Sequence, residues 1–422
     1  MLKKLLITTL FFSLGTITLS AQERVLIPMD GTQTDHLKAY GIIFNHIADG
    51  ESGIWLLNYR GGSFLTSNAN EIVRKSRVRN VRVEVISETE AAGIIQEVER
   101  PNVNMAAINL ETAPSIAVYT PPQSLPWDDA VTLALDYAEI PYDKIYDTEI
   151  LSGVLENYDW LHLHHEDFTG QFGKFWAMYR NAPWYIAQVR RLEQTAADLG
   201  YEKVSQLKLD VVLEIRDFVA QGGFMFAMCS ATDTFDIALA AQGLDIVPTQ
   251  LDGDPIDPNV NERLDFTQTF AFENFEVITD PYIYEHATID IEVDLSRISE
   301  SLDYFTLFEF SAKWDPVPTM LTQNHVNSIR GFYGQATAFQ KNTIKNSVVI
   351  LGESPGRDQA KYIHGNVGEG TFTFYGGHDP EDYTHRVGDP PTDLSLHPNS
   401  PGYRLILNNV LFPAAEKKKR QT

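Results

Sequence analysis

The fold of this chain is pinned by a run of five apolar residues, Phe224 to Met228, which Gly222-Gly223 opens and Cys229-Ser230 closes. Apolar without alternation, the run suits a strand buried on both faces of a parallel sheet. The chain must then turn sharply, and Thr232 or Asp233 can cap a helix through Phe235, Ile237, Ala238 and Ala241. A strand, a tight turn bearing a thiol and a helix make a nucleophile elbow, in which the helix N-terminus lowers the thiol pKa and turn amides near Ser230 hold an oxyanion. The competing reading is that Cys229 is a small buried hydrophobe at a strand end.

Around this stretch strands and helices alternate. Ser115 to Tyr119 predicts a buried strand, Asp128 to Tyr137 an amphipathic helix, and Tyr142 to Ile150 a further short strand. Asp159 to His165 reads as a strand with a polar end, and Leu207 to Ala220 as the helix that leads into Phe224. Ser347 to Leu351 and Thr371 to Tyr375 are later strands, and Tyr403 to Leu411 a closing helix. The expected fold is α/β, a doubly wound and mostly parallel sheet spanning residues 113–414, with ligand chemistry at the carboxyl ends of its strands. Residues 22–112 form an N-terminal α+β segment, in which Ser87 and Glu90 make a capping box. A β-rich insertion over about 243–345, with a hairpin expected within His286 to Leu295, packs beside the sheet.

Lys3 and Lys4, the apolar stretch Leu5 to Leu14 and the small pair Ser20-Ala21 read as a signal peptide over residues 1–21, so the mature chain is expected to be exported, periplasmic or extracellular. No later run is long enough to span a membrane. Cys229 is the single cysteine, so the fold must stand without an internal disulfide. A formal net charge of −24 repels phosphate backbones and argues against nucleic-acid binding. The basic residues in 415–422 read as a solvated tail. A small molecule, peptide or glycan remains as the ligand class.

Three strand ends carry reactive groups. His162, His164, His165, Glu166 and Asp167 follow one, Cys229 and Ser230 the second, and His378, Asp379, Glu381 and His385 the third. A thiol needs a base and the base needs an orienting acid, so Cys229, His378 and Glu381 can fill those roles. His164 or His165 is an alternative base, since a strand alternates faces and only one of these neighbours need point inward. A second chemistry is a metal-dependent hydrolase, with zinc on His164, Glu166 and His378; without it no cofactor is expected. A third reading, from outside catalysis, is a binding or assembly module that offers Trp314, Tyr304 and Phe305 to a protein or glycan.

The elbow at Phe224 to Ala241 and the late stretch G-E-G-T-F-T-F-Y-G-G-H-D-P-E, Gly368 to Glu381, resemble the class I glutamine amidotransferase-like superfamily, and the second is particularly similar to its ThuA-like branch. The resemblance implies a flavodoxin-like doubly wound sheet and a Cys229, His378 and Glu381 site that acts on amides. The superfamily's G-x-C-x-G elbow has Ala227 and Ala231 here in place of its glycines, and the acidic residue falls one position later than in H-x-E. Over its whole length the chain resembles exported bacterial proteins commonly labelled asparagine synthetase B, through His36 to Tyr40, Trp55 to Ser63 and Trp160 to Asp167. The N-terminal-cysteine glutaminase and the S-G-G-x-D-S ATP motif that the label implies are both absent.

Overall fold

The computed structural model describes residues 23–67, 69–122, 129–291, 304–315, 319–322, 326–330, 333–382 and 387–416. The leader, the basic residues 417–420 and His385 lie outside them.

The first sheet holds β1 (Glu23–Ile27), β2 (Gly53–Leu57), β3 (Ser63–Thr66), β4 (Glu84–Ser87) and β5 (Ala106–Leu110), in the antiparallel order β4-β1-β3-β2-β5. Helices α1 (His36–Ala48), α2 (Ala69–Val78) and α3 (Glu88–Val98) accompany it, and the Ser87–Glu90 capping box opens α3 as expected.

The second sheet begins with β6 (Ile116–Tyr119), α4 (Ala130–Ala138), β7 (Asp143–Ile145), α5 (Asp147–Leu151) and β8 (Trp160–Leu163). It continues through α6 (Trp176–Tyr179), α7 (Pro183–Asp198), α8 (Val204–Ala220), β9 (Phe224–Met228) and α9 (Ala231–Ala240). Short elements follow, α10 (Thr249–Asp252), α11 (Val260–Arg263), β10 (Tyr304–Leu307), α12 (Thr319–Thr322), β11 (Ser328–Arg330) and β12 (Phe339–Gln340). The chain closes with β13 (Val349–Glu353), β14 (Gln359–Val367), β15 (Gly370–Tyr375) and α13 (Pro401–Leu411).

The strand order is β11-β10-β13-β14-β15-β9-β8-β6-β7, with β12 paired to β14. From β15 to β7 every pairing is parallel, and from β11 to β15 every pairing is antiparallel. The protein is therefore mixed α/β.

Strand alternation explains how the parallel strands are covered on both faces. Phe224, Phe226 and Met228 of β9 share one core with Trp160, Tyr375 and residues of α1, α4 and α13. Met225 and Ala227 share the opposite core with Leu161, Leu163, Phe374 and residues of α8 and α9. Each large side chain so buried contributes roughly 1.5–3 kcal/mol.

The N-terminal segment supplies α1 to the first of these cores rather than standing apart. A Cβ on Gly41 of α1 would lie 1.6 Å from the Ala138 carbonyl of α4, so only glycine lets the two helices approach this closely. Arg404 of α13, fully buried, donates to the Met29 carbonyl at 3.1 Å and to that of Gly61.

Two expectations are corrected here. The insertion does not merely pack beside the sheet, since β10 pairs with β13 and β12 with β14, which covers backbone groups that an edge would leave open. The hairpin expected over His286 to Leu295 reduces to isolated bridges, Val277 to Ala287 and Asp290 to Phe339, and residues 292–295 are outside the described set. The long helix α7 gave no reading in the sequence.

Candidate functional site

The carboxyl ends of β8, β9 and β15 lie side by side because those strands pair in parallel register. The Cys229 amide donates to the Gly377 carbonyl at 3.1 Å, which ties the end of β9 to the Gly376-Gly377 turn before His378. A Cβ on Gly334 would lie 2.9 Å from the Gly377 carbonyl carbon, so the 334–336 segment rests directly on this turn.

Cys229 adopts the left-handed conformation of an elbow, with φ at 54°. The expected low thiol pKa is corrected. The residue is buried, and burial pushes the thiol up to about 11 although the amides of Gln335, Ser230 and Ala336 partly offset it. Those amides surround the sulfur itself, with Gln335 N at 3.3 Å, so they serve the thiol rather than a neighbouring oxyanion. Ser230, not Thr232 or Asp233, occupies the helix N-cap position and makes no side-chain cap bond. Among the described residues no imidazole hydrogen-bonds to Cys229.

The imidazoles gather with one another instead. The Nε2 atoms of His378 and His165 lie 2.9 Å apart. The His164 ring stacks on His165 at 3.7 Å and lies 4.4 Å from that of His378. One ring nitrogen from each of the three falls within 4.8 Å of the others. Strand alternation would send His164 and His165 to opposite sides. His165, immediately beyond β8, instead takes φ of 52°, which turns its ring back onto its neighbour. Both therefore enter the site, where alternation alone requires only one of them.

Asp129, at the N-cap of α4, holds this cluster from behind. Its Oδ1 accepts from the amides of Val131 and Thr132 at 2.8 and 2.9 Å, while its Oδ2 lies 3.3 Å from His164 Nδ1 and 3.3 Å from His162 Nε2. Burial works against its charge, yet the two imidazoles hold its carboxyl well below the usual range. In the sequence Asp129 was visible only as part of a helix start; its aspartate-at-N-cap pattern marks the helix but not the second carboxylate oxygen's partners.

The expected acids lie elsewhere. Glu166 faces Lys208 at 3.6 Å and accepts from the Tyr146 hydroxyl at 3.3 Å, and it belongs to neither cluster of potential metal donors among the described residues. Burial pushes its carboxyl up to about 7, with Lys208 pulling the other way. Glu381 sits 3.4 Å from His397 Nδ1. Asp379 accepts from Tyr403 and Thr392, a structural tie to α13. Asp167 accepts from Thr169 and Gly173 and lies 3.4 Å from His286. A narrow cleft of about 30 Å³ opens beside His165, lined by Tyr146, Glu166, Gln188 and Arg191. Of the aromatics expected on the surface, Trp314 and Tyr304 are exposed, but Phe305 is buried against Tyr375.

No family model and no curated protein matches the chain. Among solved structures, cytoplasmic protein STM3548 of Salmonella typhimurium is 8% identical, covering 72% of this chain and 100% of that one at a TM-score of 0.34. Cytoplasmic protein STM1381 of Salmonella typhimurium LT2 is 10% identical over 71% and 99%, with a TM-score of 0.35. A β-galactosidase of Bacillus circulans sp. alkalophilus is 12% identical over 63% of this chain and 28% of its own, at 0.26.

Described helices that are long and apolar enough to cross a membrane are absent.

Proposed function

We propose that this protein is an exported metal-dependent hydrolase, built on a doubly wound sheet of the class I glutamine amidotransferase-like, flavodoxin-like kind. The observation that carries the reading is the convergence of His164, His165 and His378 at one rim of the parallel sheet, with donor atoms within 4.8 Å of one another. Three imidazoles make a donor set suited to zinc and its neighbours. Asp129 beside His164 Nδ1 supplies the carboxylate that such ligands commonly lean on. A divalent ion held there would supply a Lewis acid and a nucleophilic water near neutral pH.

The chain's own residues do the rest. His164 and His378 are buried and fixed, whereas His165 is partly open and its ring lies parallel to His164 within 10°. Parallel rings do not aim their lone pairs at one point, so His165 would hold an ion there only with its ring turned out of the stack. The cleft beside His165 has room for about one water molecule, so a small molecule, peptide or glycan would meet this edge from the surface. Export is supported by the leader pattern Lys3 to Ala21.

The elbow conformation of Cys229 favours a second reading, thiol-dependent amide hydrolysis with His378 or His165 as base. A panel of model amides and esters separates the two. Metal chemistry predicts activity that is lost on chelation, restored by zinc and retained in Cys229→Ala. Activity that survives chelation and disappears in Cys229→Ala would establish the thiol reading instead.

A further inference from the structure

A second set of donors, Asp129, His162 and His164, lies behind the three-histidine cluster, and the chemistry proposed above leaves its His162 unused. His162 is fully buried between Trp160 and Phe226, whose rings lie 6.1 and 5.8 Å from its own. Its Nδ1 is 3.0 Å from the Phe226 carbonyl. A carbonyl only accepts, so this nitrogen carries the proton. The ring's other nitrogen, Nε2, faces Asp129 Oδ2 at 3.3 Å. Nε2 is buried, and its contact with Asp129 falls short of hydrogen-bond geometry. A carboxylate and a ring nitrogen held this close in a dry interior, without hydrogen-bond geometry, are stabilised by a cation between them.

The distances say what kind of cation fits. Asp129 Oδ2 is 3.3 Å from both His162 Nε2 and His164 Nδ1, longer than the roughly 2.7–2.9 Å of a charge-assisted hydrogen bond. Tetrahedral zinc with arms of about 2.0–2.1 Å sets its donors roughly 3.3 Å apart. All three donor atoms fall within 4.8 Å of one another.

We infer that Asp129, His162 and His164 form a second cation site, for zinc or a similar nitrogen-preferring divalent ion, with His164 bridging it to the first through its two ring nitrogens. The bridge rests on the reading of the three-histidine cluster; the site at Asp129 and His162 does not. Bridging displaces the remaining ring proton of His164 to solvent, so filling both sites releases one more proton than filling either alone. The effect on chemistry would be to hold His164 rigidly and to add a positive charge close behind the reacting edge.

The test is a count of zinc retained by chelator-stripped protein after loading with zinc alone and desalting. His162→Phe preserves the aromatic stack, and Asp129→Ser preserves the cap on α4; circular dichroism confirms that each is folded. About two equivalents are expected in the wild type, and about one in His162→Phe, Asp129→Ser and His378→Ala. Cobalt loading adds a second readout, two overlapping visible spectra in the wild type of which each variant keeps one. A wild-type count that His162→Phe leaves unchanged would overturn the second site. If that same count falls with His378→Ala, the three-histidine site stands alone. A count that falls with His162→Phe but not with His378→Ala would support this site and remove the one proposed above.

Discussion

His165 and His378, which are 213 residues apart in the chain, face each other with Nε2 atoms at 2.9 Å. The contact depends on a backbone choice at His165, because only the left-handed turn after β8 aims this ring toward the end of β15. Left-handed backbone costs a non-glycine residue on the order of 1–2 kcal/mol. We therefore expect His165→Gly to be more stable than His165→Ala by about 1 kcal/mol, while both lose one donor of the three-histidine cluster. Urea unfolding of the two variants measures the difference; equal stabilities would mean that the turn is not strained.

The Cys229 thiol should be sluggish. With its pKa raised to about 11 by burial, little thiolate exists near neutral pH, and the sulfur is covered. Alkylation by iodoacetamide should run on the order of a hundredfold slower than for a free cysteine and return to the ordinary rate in denaturant. Rapid alkylation of the folded protein at neutral pH would contradict this and revive the thiol mechanism.

Lys208 anchors a buried polar cluster in which its ammonium meets Asp147 at 3.0 Å, the Tyr119 hydroxyl at 2.8 Å and Tyr146 at 3.2 Å. Lys208→Met should cost about 3–5 kcal/mol, because Asp147 would be left buried and uncompensated. The double variant with Asp147→Asn should recover part of that loss. Chemical denaturation of the single and double variants checks both, and a single-variant cost below about 1 kcal/mol would show that the pair is not the support described.

His364 gives the fold an acid-sensitive element. Burial lowers its pKa from 6.5 to about 3. Between those values the unfolded ring binds a proton that the folded ring refuses, so the stability present above pH 6.5 drains as the pH falls, at up to about 1.4 kcal/mol per unit. His364→Gln should flatten this acid limb in urea titrations between about pH 7 and pH 5. A wild-type curve already flat across that window would exclude the effect.

Much of this arrangement was legible in the sequence, and particular residues show where legibility stopped. The apolar run at Phe224 and the polar ends after Leu163, Met228 and Tyr375 announced the strands and the rim they share, since a doubly covered parallel strand leaves little freedom of pattern. Alternation failed at His165 because a single left-handed residue reverses which side a ring faces, and composition does not encode that turn. Glu166 looked like a ligand by adjacency, but Lys208, remote in the chain, claims its carboxylate. Asp129 read as part of a helix start; its second oxygen serves the histidines only once α4 is packed behind β8. The strands of the insertion were missed as sheet members because their pairing with β13 and β14 is decided by open edges, not by local pattern.

The most direct measurement is the zinc affinity of the purified, chelator-stripped protein by competition titration, alone and with His378→Ala. The wild type should bind zinc with a submicromolar dissociation constant, and His378→Ala should weaken the site it disrupts by at least about a hundredfold, with the fold intact. A wild-type protein that takes up no zinc, or one whose affinity His378→Ala leaves unchanged, would contradict the metal centre at the rim of this sheet.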